Sequence, residues 1–195
     1  MADNTGAARV GVETTAVGRS RALRNVVLVG LGALLVAASA QVAVPVPFSP
    51  VPMTLQPLAV LAVGGLLGAS RGMSALLLYI VMGALGLPVF AGGGSGVWHL
   101  VGPTGGYLLA FPLAAGVTGA LAGTPPRSIL RVLLATALGM VVIHLGGVAQ
   151  LALLGGDPAL ALRIGFVPFL TGDLLKVGLA AGLILMAAPR VRALL

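Results

Sequence analysis

Six long apolar stretches punctuate the chain, at residues 23–44, 54–69, 73–90, 105–123, 129–154 and 164–188. A helix rising about 1.5 Å per residue needs about 20 mainly apolar residues to cross a bilayer. The 54–69 stretch is short for this and suits a tilted or partly re-entrant helix; the others are long enough. Only 8% of the residues are charged, while 58% are hydrophobic. Soluble domains carry about 25% charged residues, so this chain cannot coat a water-soluble globule. Disorder is excluded for the opposite reason, because disordered chains are poor in apolar residues. We read an all-α, polytopic membrane protein with six transmembrane helices in residues 22–195. Residues 1–21 are polar and small, lack the pattern of a cleaved leader, and read as a loose cytoplasmic tail.

Orientation follows from the basic residues. With six spans, the termini share a side with the second and fourth connections. That side holds Arg9, Arg19, Arg21, Arg24, Arg71, Arg127, Arg131, Arg190 and Arg192, nine of the eleven basic residues. The other side holds only Arg163, and Lys176 lies inside a span. Both termini are therefore expected in the cytoplasm. The net charge of +7 and pI of about 11.6 would suit nucleic acid, but the charges sit between apolar stretches. The cytoplasmic connections, Ser70-Arg71 and Thr124-Pro-Pro-Arg-Ser128, are short and basic. The first outer one, Pro45-Val-Pro-Phe-Ser-Pro-Val-Pro52, cannot be helical throughout, since each proline removes a donor and restricts its predecessor. The second carries Gly92-Gly-Gly-Ser-Gly96, Trp98, His99 and Gly102-Pro-Thr-Gly-Gly106. Nonhelical backbone survives near membrane depth only when protein or a wet cavity receives it. A folded-in lid over a pocket is expected.

Asp173 and Lys176 are the only formally charged residues well inside a span. A charge at the bilayer centre costs ~2.5–3.5 kcal/mol on insertion scales, so neither is there casually. Their i,i+3 spacing sets them on one helix face. If Pro168 opens the helix, Asp173 lies about a turn and a half inward, near the lid. The pair reads as a small-ligand site, with Lys176 binding a carboxylate and Asp173 accepting from N–H groups. The bland alternative is a self-satisfied ion pair pinning helices together, and a proton relay is a third. Gln56 and Thr54 either bond a ligand or cap a helix. His144, in the fifth span, and His99, in the lid, read more readily as packed residues than as ligands. Phe48, Phe90, Trp98 and Tyr107 gather on the outer side, as pocket lining or as an interfacial belt. On the first span Gly30, Ala33, Ala37 and Ala40 form a stripe of small residues, for packing inside the bundle or for docking a second subunit.

Other chemistry lacks its residues. There is no cysteine, so no disulfide framework, thiolate metal site or Cys nucleophile is available. Two histidines cannot close a metal site without several carboxylates, and no metal or other cofactor is expected. No phosphate-binding G-x-x-x-x-G-K-[ST] loop, G-x-S-x-G elbow or H-E-x-x-H occurs. Enzymatic activity is not expected, and ATP hydrolysis, if it drives transport, belongs to another chain.

Pro45-x-Pro47, Pro50-Val-Pro-Met-Thr-Leu-Gln56, Gly83-Ala-x-Gly-Leu-Pro-Val-Phe-Ala-Gly-Gly93, Gly102-Pro-Thr-Gly-Gly-Tyr-Leu108 and Gly172-Asp-x-x-Lys176 together resemble the BioY family. Its members are biotin-binding S components of energy-coupling-factor (ECF) transporters. The resemblance runs from the first span to the last. It implies biotin as substrate, captured from outside a prokaryotic cell membrane. It also implies a transmembrane coupling subunit and two ATPase subunits as partners, with no nucleic acid involved. The family's ligand-contacting Asp and Lys fall on Asp173 and Lys176. An Asn that some members carry in the lid corresponds to Gly94, where backbone groups would take its place. Gln56, Trp98 and Tyr107 complete the expected pocket. The family's Ala-x-x-x-Ala docking face is matched by Ala33 and Ala37. A stand-alone biotin carrier, working without ATPase subunits, is the alternative.

Overall fold

Glycines and prolines break the apolar stretches, and those breaks set the element boundaries. The computed structural model describes residues 5–123 and 128–193; the expected loop Thr124-Pro-Pro-Arg127 lies outside them. Helix α1 (Thr5–Ala40) leads into a two-stranded ribbon, β1 (Ala43–Val44) and β2 (Met53–Thr54). The strands run antiparallel, with Ala43 facing Thr54 and Val44 facing Met53. The four prolines of the first outer connection lie between the strands, where a missing N–H breaks no ladder bond. Helices α2 (Gln56–Leu67), α3 (Ala69–Ala84), the single turn α4 (Trp98–Val101), α5 (Gly105–Ala122), α6 (Ile129–Gly155), α7 (Pro158–Gly165) and α8 (Leu170–Ala193) follow.

Four apolar stretches have membrane-crossing length among the described residues: Arg21–Ala40, Gly105–Ala122, Ile129–Gly155 and Pro158–Val191. Helices α2 and α3, with 12 and 16 residues, reach about 18 and 24 Å, short of the ~30 Å hydrocarbon layer. The 73–90 stretch stops being helical at Ala84, because Gly86 takes a φ of +100° and Pro88 follows. Phe90 then folds back onto Gly83, where a Cβ would overlap its ring. The 164–188 stretch breaks at the short turn Val167–Phe169, so α8 starts at Leu170. Ser70 and Arg71, expected as a connection, instead open α3. Gly68 alone makes that reversal, at a φ of +83° that side chains rarely adopt. Helix α1 also begins earlier than its apolar run: Thr5 to Arg21, expected as a loose tail, is helical, and no proline interrupts it.

Helix α2 is apolar all round because it is surrounded, by α1, α3, α5, α6 and α8. Small residues let its backbone touch that of α5: a Cβ on Gly64 would overlap the Ala115 carbonyl, and one on Gly119 would lie 2.6 Å from Gly64 O. Ala33 is fully buried, Ala37 nearly so, and α1 packs on α2 and α3. Ala33, Ala37 and Ala40 of the small-residue stripe are thus buried inside the bundle, whereas a Cβ on Gly30 would meet nothing within 4 Å, and Leu31, Leu34 and Leu35 stay exposed on the same helix. Ala33→Leu is expected to overpack this contact and cost about 1–3 kcal/mol, measured as a lower melting temperature in detergent.

Two polar contacts gather one end of the bundle. Arg71 Nε donates to Asn25 Oδ1 at 2.9 Å, and Arg131 Nε donates to Leu121 O at 2.6 Å. The opposite end holds the glycine-rich segment, which Gln150 of α6 ties down by donating to the carbonyls of Leu100 and Gly102 at 3.1 and 2.6 Å. Outward-facing Leu113, Leu138, Leu145 and Leu174 remain exposed along α5, α6 and α8. Such a surface is untenable in water and suits lipid. This is a multi-pass membrane fold.

Candidate ligand-binding site

Asp173 stands in the first turn of α8, where free N–H groups and the helix dipole favour an anion. One turn on, Lys176 Nζ donates to Asp173 Oδ1 at 2.9 Å, and across the helix interface His144 Nε2 of α6 donates to Asp173 Oδ2 at 2.6 Å. A carboxylate only accepts, so the proton in that second contact belongs to Nε2, and the buried Nδ1 has no hydrogen-bond partner among the described residues. The imidazole is fixed edge-on by Phe166, with centroids 4.9 Å apart, and by Tyr107 at 6.1 Å. Asp173 and Lys176, each 6% exposed, are the only charged side chains buried among the described residues.

The two charges face each other, as a self-satisfied pair would, yet they do not lie beneath solid packing. They line a partly open cavity of about 190 Å³. An apolar void of ~150 Å³ already admits a benzene-sized molecule, so one small organic ligand fits here. The β1–β2 ribbon contributes Val51 and Thr54, and α2 contributes Gln56. Gln56 Nε2 donates to Tyr79 OH at 2.6 Å, Tyr79 donates to Val89 O at 3.1 Å, and Thr54 Oγ1 donates to Gln56 Oε1 at 3.2 Å. This relay joins the ribbon, α2, α3 and the start of the lid. Tyr107 donates to Gly165 O at 2.6 Å, and its ring fills the space a Cβ on Gly147 would need. Its hydroxyl therefore holds α5 to α7, and its ring forms wall. Tyr107→Phe is expected to cost about 1 kcal/mol of thermal stability while ligand affinity changes less than threefold, read by melting and by titration.

Of the six residues expected to bind ligand, Asp173, Lys176, Gln56 and Tyr107 line this cavity, whereas Gly94 and Trp98 do not. Trp98 is 79% exposed beside exposed Val97 and Val101, a setting that matches the interfacial role of tryptophan. Phe90 joins the wall and Phe48 stays outside. Among residues the sequence underweighted, His144 matters most, for it holds the second oxygen of Asp173; His99, Thr104 and Phe169 also reach the cavity. The missed signal was simple, since a third ionisable group within a span asks for the same scrutiny as the other two. No cluster of three metal-ligating side chains occurs among the described residues.

The model of the BioY family matches residues 11–193. The chain belongs to the BioY family. A probable biotin transporter BioY of Pyrococcus horikoshii is 39% identical over 157 residues, spanning 80% of this chain and 91% of the relative. The biotin transporter BioY of Thermotoga maritima is 38% identical over 159 residues, or 82% and 92% of the two chains. The fold matches a crystal structure of the S-component for biotin from an ECF-type ABC transporter, with a TM-score of 0.81 at 22% identity over 87% of this chain and 93% of that one. BioY relatives are thus named as transporters rather than enzymes. The ribbon, the lid, α6 and α8 all fall inside the residues matched to BioY.

Proposed function

We propose that this BioY-family protein captures biotin in the Asp173–Lys176 cavity as the substrate-binding membrane subunit of an ECF-type transporter. ATP would be hydrolysed on two separate subunits coupled through a transmembrane partner. One observation carries the reading: a buried cation–anion pair lining a small, mostly apolar cavity. Biotin offers a carboxylate, a ureido ring and an apolar sulfur ring, and binding sites of its size combine apolar walls with few polar anchors. Lys176 faces the carboxylate, and the lone pairs of Asp173 not used by Lys176 and His144 accept from N–H groups. Phe90, Phe111, Ile143 and Phe169 cover the hydrocarbon and sulfur portions.

In this reading the membrane domain is 22–195 and crosses the prokaryotic cell membrane six times, with the ribbon and lid completing the short passages of α2 and α3. The cavity opens outward and both termini are cytoplasmic, supported by the basic residues at the end remote from the lid. Calorimetric titration of the purified chain with biotin should saturate near one ligand per chain. Absence of saturable binding in a folded sample overturns the proposal. Liposomes holding this chain alone should retain external biotin outside, and adding a coupling module with ATP should admit it. Uptake by the lone chain would instead favour the stand-alone carrier.

A further inference from the structure

Gly94 has φ −63° and ψ 156°, an ordinary extended conformation open to any residue, so the backbone gives no reason for glycine there. Space gives one. A Cβ on Gly94 would lie 2.5 Å from His99 Nε2 and 3.1 Å from its Cδ2 and Cε1. The imidazole of α4 occupies the volume a side chain at 94 would fill. It lines the cavity and stacks obliquely on Phe90 with centroids 5.6 Å apart, and its buried Nδ1 has no partner among the described residues. The turn that carries it is anchored by the two bonds from Gln150 and by Thr104 Oγ1 donating to His99 O at 3.5 Å. Helix α4 packs on α3 and α5, while α8 packs on α2 and α6, so the imidazole and the ion pair reach the cavity from different walls.

We infer that His99 is the lid's specificity-determining contact, hydrogen-bonding the ureido ring of the ligand alongside Asp173 while Lys176 engages its carboxylate. Gly94 serves by leaving room for that imidazole. The inference rests on the biotin reading and adds a residue to it. A neutral imidazole carries one donor and one acceptor, and a ureido group offers both in return. Ligands that bring one polar end only would leave either His99 and Asp173 or Lys176 unmet, which is the usual basis of strong discrimination by polar sites.

The test uses biotin and its methyl ester on full-length protein. His99→Phe keeps the stacking on Phe90 and removes both polar atoms; it should weaken both ligands about tenfold, the effect of one lost hydrogen bond. Gly94→Val should weaken biotin similarly by displacing the ring, and adding Gly94→Val to His99→Ala should cost less than twofold more. Three results overturn the inference: unchanged biotin affinity in His99→Phe, a loss confined to biotin and absent for the ester, or full additivity of the Gly94 and His99 changes. Failure of the parent protein to bind biotin at all would instead defeat the proposed function. Melting temperatures of the variants separate a misfolded lid from a lost contact.

Discussion

Lys176→Ala is expected to lower biotin affinity about 100-fold and to destabilise the protein at the same time. The two effects have one origin. The lysine lies 2.9 Å from Asp173 and is 6% exposed, so removing it leaves a carboxylate in the bundle with His144 as its main partner. Breaking one half of a buried pair typically costs about 3–5 kcal/mol. The ligand carboxylate loses the only cation among the described cavity-lining residues, and bonds to charged groups contribute about 1.5–3 kcal/mol each, which sets the affinity loss. Titration with biotin methyl ester separates the terms: the ester carries no charge for Lys176 to meet, so its affinity should fall far less. Equal losses for acid and ester would mean that Lys176 acts through the shape of the site alone.

The sequence reveals those parts of this molecule that stand out against an apolar background. Asp173 and Lys176 are visible because charge inside a long apolar stretch is costly, and their spacing of three residues already joins them on one helix face. His144 is harder, because its contact to Asp173 spans 29 residues of sequence and two helices. Periodicity describes one helix at a time and does not say which faces meet. The same limit applies to Ala33 and Ala37: small side chains permit close approach without naming the neighbour, and the neighbours turn out to be α2 and α3. Hydropathy runs smoothly across Leu85–Phe90 and Ile164–Phe169, so it overextends those helices, although Gly86, Pro88 and Pro168 mark the breaks. Trp98 offers amphipathic character to pocket and interface alike, and composition does not choose between them. Gly94 and His99 are read separately in sequence, and only three-dimensional proximity makes the first an accommodation of the second.

Asp173→Asn combined with Lys176→Met is expected to recover most of the stability that either single change loses, while biotin affinity stays at least about 100-fold below that of the parent. Each single change strands a charge in the bundle. The pair of changes removes both charges, keeps a carbonyl oxygen at position 173 for His144 Nε2 to bond, and replaces the lysine stem with an apolar chain of similar length. Buried ion pairs replaced by apolar groups of like volume are commonly neutral or about 1–4 kcal/mol more stable. A pair whose role is to pin α8 in place would therefore be dispensable in this double variant, and uptake would survive with it. A pair whose role is recognition would leave a well-folded protein that ignores biotin. The measurement is a melting curve in detergent beside a calorimetric titration on the same sample. A stable double variant that still binds biotin within threefold of the parent would return Asp173 and Lys176 to a structural role. The cavity's specificity would then rest on the lid and the apolar walls.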